Sequence, residues 1–515
     1  MAHSEHPAEN FSGQEGVALL PDGTHPVDEV LKPGPMVLYG LQHVMSMYAG
    51  VVAVPFIVGS TLKLPFADLS YLLAATLLVS GLATLLQTLG VPWIGAKLPI
   101  VQGTSFAAVA SMIAVGASAG GGVDGLRAIF GSVLIAGLAG FLLSGVFARL
   151  LHFFPPVVTG SVITVIGISL LPVAMRWAAG GAGSADFGSI SNIALAAITL
   201  GIILVIYRFL PGFFSRIAII VGLVAGGVVA ALMGKLDFSR VEQAQGFAIS
   251  TPFHFGSPTF QVAAIISMVI VMLVIMTETT ADLLAIGVVV GRNADQKIVG
   301  NGLRADCIST AVSGGLLNGF PVSAFAQNVG LVALTGIRSR FVVAVSGLIL
   351  LVLGLFPKVG AVVAALPLPV LGGAGLALFG TVAASGIRSL AAVRYDGNSN
   401  LVIVALAIAM GLIPIAVPDF YHEFPDWFQT IFDSGISASA VTAVLLNIFF
   451  NVLGRKNPEA EAPIFAESPA IGVTPEEQPG GHIPHDPSVA ELPSDPASPS
   501  TGPNDPPTDN QGRQK

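Results

Sequence analysis

From Ile193 to Tyr207, from Ile217 to Met233 and from Phe341 to Phe356 the chain carries no charged side chain. Runs of this kind suit the interior of a lipid bilayer, which a helix crosses with about 20 mostly apolar residues. Only 10% of the 515 residues are charged and 53% are hydrophobic, whereas soluble proteins carry about 25% charged residues. The runs show no alternation of apolar and polar positions, which argues against a β-barrel wall. The sequence predicts an all-α polytopic membrane protein.

Seven segments can be drawn before a polar divide: Met36–Val58, Tyr71–Leu89, a short Val101–Val115, Ala128–Leu150, Val157–Met175, Ile193–Leu210 and Ile217–Met233. Seven more follow it. They begin with Val262–Met276, whose helix is expected to run on through Glu278, and Gly302–Leu317, then a short Ala324–Leu334. Phe341–Phe356, Leu368–Ala384, Leu401–Val417 and Ile436–Leu453 complete the set. The expected organisation is a polar tail over 1–35, repeats over 36–233 and 262–454, a linker over 234–261 and a tail over 455–515. That last tail is rich in Pro, Asp, Glu and Ser and almost free of aromatics, a composition that does not fold.

The halves echo each other. Pro156-Val157-Val158-Thr159-Gly160 matches Pro369-Val370-Leu371-Gly372-Gly373, and Gln102-Gly103-Thr104-Ser105-Phe106 stands where the second half has Val322-Ser323-Ala324-Phe325-Ala326. An odd number of crossings inverts the second copy. In such folds the ligand lies near the midplane, between broken helices. Phe320–Thr335, which opens beside Pro321, carries Gln327-Asn328 and is too short to cross, reads as one such half-helix.

With the N-terminus in the cytoplasm, the inner loops hold Lys97, Arg149, Arg208, Arg216, Arg292, Lys297, Arg304, Arg338, Arg340, Arg388 and Arg394. The outer ones hold Lys63, Arg127, Arg176, Lys235, Arg240 and Lys358. This asymmetry predicts both termini inside. Residues 1–30 lack a basic start and an apolar core, so no cleavable signal peptide is expected. The single cysteine, Cys307, excludes an intrachain disulfide framework and a Cys-based metal cluster. The net charge of −8 comes with no basic face for nucleic acid.

Charged groups within spans are costly, so each is a functional candidate. Glu278 and Asp282 stand four residues apart, on one helix face, directly after an apolar run. Two carboxylates that close repel, so one of them is expected to hold a proton at times, as a proton-coupled transporter requires. The plainer alternative is a span ending at Thr277 with both acids solvated. Gln42-His43 lies in the first segment, and a buried neutral histidine needs a partner for each ring nitrogen. A packing hydrogen bond and a proton-carrying role both fit it. Thr104-Ser105-Phe106 opens the first half-helix with free N–H groups and a ring on which a flat ligand can stack. Asp306 with Arg304 reads either as an inner-rim ion pair or as a gating element. Together, Gln327, Glu278, Phe106 and the half-helix N–H groups would satisfy a small planar heterocycle with alternating N–H and C=O edges, for the reason that amide side chains pair with purine edges. Nothing resembles a phosphate-binding loop, a zinc site or a nucleophilic triad, so no enzyme is expected.

At these residues the chain resembles the nucleobase–ascorbate transporter family. The family signature [Q/E/P]-N-x-G-x-x-x-x-T-[R/K/G] is matched throughout by Gln327-Asn328-Val329-Gly330-Leu331-Val332-Ala333-Leu334-Thr335-Gly336. Its Gln-His pair matches Gln42-His43, its G-T-S-F element Gly103-Thr104-Ser105-Phe106, and its eighth-helix acids Glu278 and Asp282. Asp306 stands where members carry an acid in the ninth helix. The resemblance covers roughly residues 35–455.

The resemblance implies a fourteen-helix inverted repeat with core and gate domains, often dimeric, moving like an elevator. It implies that Glu278 and Gln327 bind the base beside Ser105 and Ala326, and that Phe106 stacks and offers its N–H. His43, Asp282, Asn328, Gln42 and Thr104 would form the supporting, proton-coupling network, with Asp306 in gating. Gln at the first signature position resembles members that take xanthine or urate, since uracil members tend to carry Glu there. The run Gln42–Gly59 looks closest to bacterial urate and xanthine permeases. The expectation is a homodimeric inner-membrane purine:proton symporter without cofactor or metal, sodium being the alternative coupling ion. The rivals are a uracil symporter of the same family, an anion exchanger on the same architecture, and a receptor that does not transport.

Overall fold

The structure, a computed structural model, describes residues 20, 23–147, 154–181, 183–210, 212–236, 239–244, 246–248, 250–395 and 398–453. The expected tail over 455–515, residues 1–19, Arg149 and the drawn end of the fourth segment at Leu150 lie outside the described residues.

The first half comprises α1 (Pro33–Thr61), α2 (Phe66–Leu89), β1 (Gln102–Thr104), α3 (Val109–Ser118), α4 (Gly122–Leu143), α5 (Pro156–Ala178), α6 (Ile190–Phe209) and α7 (Ala218–Leu232). The second comprises α8 (Val262–Val290), α9 (Gln296–Gly315), β2 (Val322–Ala324), α10 (Ala326–Thr335), α11 (Arg340–Gly354), α12 (Pro357–Ala364), α13 (Leu368–Ala391), α14 (Ser399–Ala416), α15 (Asp426–Phe432) and α16 (Gly435–Asn447). Among the described residues nine helices are long and apolar enough to cross a membrane, or ten if the bent pair α11 and α12 is one span. The other four segments drawn from the sequence, α3, α7, α9 and α10, fall short of that test in length or hydropathy.

Several boundaries differ from the sequence reading for identifiable reasons. α8 runs on to Val290, so Glu278 and Asp282 lie inside a 29-residue helix, and Gly291 closes it in the left-handed conformation at φ +69°. α9 starts six residues before Gly302 because Asp295 caps it, accepting from the Ile298 N–H at 2.8 Å. After α11 the chain turns by 79° into α12, where Pro357 has no N–H to continue the ladder. The stretch between the drawn segments Leu401–Val417 and Ile436–Leu453 contains the helix α15. The polar tail is also more than a tail: residues 25–29 dock on the ends of α8 and α11, with Val27 fully buried.

Helix pairs meet through glycine. A Cβ at Gly81 of α2 would stand 2.6 Å from the Gly347 carbonyl of α11, and one at Gly137 of α4 would stand 2.7 Å from the Cys307 carbonyl of α9. α5 and α13 approach as closely, with Gly167 against the Ala383 backbone. Helices surrounded by lipid gain little from apolar burial alone, and small residues let backbones approach closely enough for dispersion to hold them.

Candidate functional site

The site is assembled where two short strands cross inside the bundle. β1 and β2 pair antiparallel, with Gln102 opposite Ala324, Gly103 opposite Ser323 and Thr104 opposite Val322. The pairing extends by Ser105 N–H to the Pro321 carbonyl at 2.9 Å and Phe325 N–H to the Val101 carbonyl at 3.2 Å. Each strand then turns into a short helix, so two helix N-termini with their unspent N–H groups meet at this crossing.

Neighbouring helices hold both strands from behind. Thr84 Oγ1 of α2 accepts from the Gln102 N–H at 2.9 Å, and Thr310 Oγ1 of α9 accepts from the Val322 N–H at 3.0 Å. Gln102 and Val322 are the positions at which the two half-helix sequences echo each other. Thr279 Oγ1 of α8 accepts from the Ala324 N–H at 3.3 Å and donates to Asp306 Oδ2. Asp306 Oδ1 accepts from the Gln87 amide at 3.3 Å. Asp306 is therefore buried behind the strands, while Arg304 turns away to the Asn301 side chain and the Trp93 carbonyl.

The two half-helices differ at their starts. Ser105 caps the turn Phe106–Ala108 by accepting from the Ala107 N–H at 3.2 Å. Phe325 stands at the equivalent place before α10 and offers no side-chain cap, so no N-cap side chain occupies the N–H groups of that end. Gln327 and Ala326 are exposed, and a Cβ at Gly330 would meet nothing within 4 Å, so this face of α10 opens onto free space. Asn328 points the other way, donating to the Pro99 carbonyl at 2.8 Å, and its Oδ1 is buried without a hydrogen-bond partner.

Glu278 Oε2 and Asp282 Oδ2 are likewise buried with no hydrogen-bond partner among the described residues. A buried carboxylate oxygen left so costs stability unless something binds it. Phe106 is half-buried, its ring edge-on to Phe379 of α13 at 6.0 Å. His43 is buried in α1, with Gln42 half-buried beside it. Thr104 is buried within β1.

The sequence reading missed several residues that position this crossing. Phe325 is the central one: a Cβ at Gly50 of α1 would stand 2.8 Å from its ring, and one at Gly103 would crowd the same ring. Thr84, Gln87, Thr279 and Thr310 are the others. A glutamine and threonines spaced along otherwise apolar helices were the available signal, since polar groups at that depth need partners.

Residues 34–420 match the Permease family. A xanthine permease of Bacillus subtilis (strain 168) is 42% identical over 433 residues, covering 84% of this chain and 98% of that protein. The uric acid permease PucJ of the same organism is 42% identical over 439 residues, covering 84% and 96%. Among solved structures, the transmembrane domain of a cyanobacterium bicarbonate transporter, BicA, superposes with a TM-score of 0.55 at 18% identity, over 81% of this chain and 99% of that one. At that identity the likeness concerns the fold alone.

Proposed function

Since the chain belongs to the Permease family of nucleobase–ascorbate transporters, a family of membrane transporters and not enzymes, we propose that it takes up an oxidised purine, xanthine or uric acid, with a proton. The names of its relatives support the substrate class. The observation that carries the reading is the pair of unpartnered buried oxygens on Glu278 and Asp282, one helical turn apart, in a site that also has the exposed Gln327 amide. A purine supplies N–H groups that a carboxylate accepts and a C=O/N–H edge that an amide pairs with.

In this reading Glu278 and Gln327 grip the base, Ser105 and Ala326 line it with backbone, and Phe106 stacks on its face. Asp282, His43, Asn328, Gln42 and Thr104 hold these groups in place and carry the coupling proton. Asp306 acts from behind, through Thr279 and the Ala324 N–H, on the strand that leads into α10. No cofactor is needed beyond the coupling ion.

Fourteen segments in two inverted sevens account for the packing best. Exchanging the halves turns α2 into α9 and α11 into α4, so the α2/α11 contact becomes the α9/α4 contact, and both are built on glycine. The Thr84 and Thr310 bonds exchange in the same way. A core that carries β1, α3, α8, β2 and α10 then slides against a gate of α5 to α7 and α13 to α16, as an elevator, with both termini cytoplasmic and two copies forming a dimer in the inner membrane.

The test is uptake of labelled xanthine in cells lacking their own permeases, with urate, uracil, guanine and ascorbate as competitors, with and without a protonophore. Entry of xanthine, competition by urate and collapse under protonophore are expected. Uptake of uracil but of neither purine would overturn the assignment of Gln327.

A further inference from the structure

A second polar site lies away from the strand crossing, at the end of the bundle where residues 25–29 dock. There the C-terminal end of α4 and the first turns of α9 enclose a cavity of about 240 Å³. Lys297, Asn301 and Arg304 line it from α9, and Ser144, Gly145 and Phe147 from the α4 side, with no acidic residue lining it among the described residues. Arg304 is aimed by its own contacts. Nη1 donates to Asn301 Oδ1 at 2.9 Å and to the Trp93 carbonyl at 3.3 Å, and Nη2 lies 3.9 Å from where a Cβ on Gly145 would be. A guanidinium has five donors in a planar fork, so this arrangement leaves donors for a ligand.

Two features place this cavity at a membrane surface. Leu138, Leu142 and Val146 follow one another at four-residue spacing along one face of α4 and its extension, 42%, 80% and 46% exposed, an apolar stripe that leads to the cavity. Trp93, whose carbonyl accepts from Arg304, is 76% exposed, and tryptophan favours the headgroup level of a bilayer.

We infer that this cavity binds the anionic phosphate headgroup of a phospholipid, whose acyl chains run along Leu138, Leu142 and Val146. Lys297 supplies a mobile point charge and Arg304 a fixed fork, the two ways basic side chains hold phosphate. A free phosphate ion would satisfy the cations equally well but would leave the apolar stripe unused.

The experiment is native mass spectrometry on the full chain in mild detergent, titrated with phosphatidylglycerol or phosphatidylcholine, on wild type, Lys297→Gln, Arg304→Gln and, as a control at the other end of the bundle, Lys358→Gln. Wild type and Lys358→Gln should retain phosphatidylglycerol over phosphatidylcholine. Each site variant should lose roughly fivefold in occupancy, and inorganic phosphate should not displace the lipid. Equal occupancy in wild type and Lys297→Gln, or no preference for the anionic lipid, overturns the inference. Displacement by inorganic phosphate also overturns it, in favour of a free-anion site. Lys297 is exposed on the first turn of α9, so its variant reports even if Arg304→Gln fails to fold. No step uses purine uptake, so the result is independent of the transport reading.

Discussion

Asp28 accepts from Arg340 Nε at 2.6 Å, and through this bond a short 3₁₀ turn, Pro26–Asp28, ties the start of α11 to its neighbours. The other carboxylate oxygen of Asp28 reaches Arg292, just past α8, at 3.4 Å. Arg340 Nη1 donates to the Thr88 and Leu89 carbonyls at the end of α2. The end of α8, the helix that carries Glu278 and Asp282, is thereby fixed against α2 and α11.

Both ion pairs are partly exposed, so Asp28→Asn should cost only about 1 kcal/mol, the scale of surface pairs. Arg340→Ala should cost more, about 1–3 kcal/mol, because two helix-end carbonyls lose their donor as well. Thermal unfolding in detergent separates the two. If both variants melt alike, the bonds to α2 contribute nothing measurable.

Thr279 is the link between Asp306 and the strand leading into α10. Thr279→Val keeps the shape but leaves the buried Ala324 N–H without its acceptor and Asp306 Oδ2 without its donor, which should cost about 1–3 kcal/mol. Thr279→Ser should behave as wild type. Comparing xanthine uptake and melting temperature of the two variants checks this, and equal behaviour would show the hydroxyl to be dispensable.

Gly50 gives α1 its close approach to Phe325. Gly50→Ala would press a methyl against a ring edge 2.8 Å away, and overpacking of this kind typically costs about 1–3 kcal/mol. Adding Phe325→Leu should recover part of that loss, because contacting residues are not additive. The double-mutant cycle on melting temperature measures it, and strict additivity would show that the two do not meet.

How far the sequence could be read follows from which interactions are local. Hydropathy located the long spans, because a bilayer imposes length and apolarity on each helix separately. The i,i+4 spacing of Glu278 and Asp282 was legible for the same reason, since it is set within one helix. The pairing of Gln102 with Ala324 was not, because three-residue strands carry no periodicity and their register depends on contacts more than 200 positions away in the chain. Asp28 looked like part of a polar tail because its partners, Arg292 and Arg340, are just as remote. The bend at Pro357 could have been read, since a proline that interrupts an apolar run marks a helix end.

At the opposite end of the bundle, Asp186 is held below the usual carboxylate range, first by the Asn192 side chain and then by Lys235. Its folded value is lower than its unfolded one, near 3.9. The stabilisation is therefore fully present above about pH 5 and is lost as pH falls through the folded value. The difference in melting temperature between wild type and Asp186→Asn should be constant from pH 7 to about pH 5 and close below about pH 4. A difference that persists in acid would mean that the carboxylate charge plays no part.

Glu278 is the residue on which the transport reading turns. Glu278→Gln keeps the side-chain shape and removes the charge, so a base held by a charge-assisted hydrogen bond should lose about 1.5–3 kcal/mol of binding, roughly ten- to a hundredfold in apparent affinity. Asp282→Asn removes a neighbouring charge that in this reading serves the proton. It should change the pH dependence of uptake and its sensitivity to protonophore more than the affinity for xanthine. Initial rates over a range of xanthine concentration and external pH separate the two roles. Unchanged affinity and pH profile in Glu278→Gln would remove that residue from the site, leaving the unpartnered oxygen of Asp282 as the group to which the base or the proton must bind.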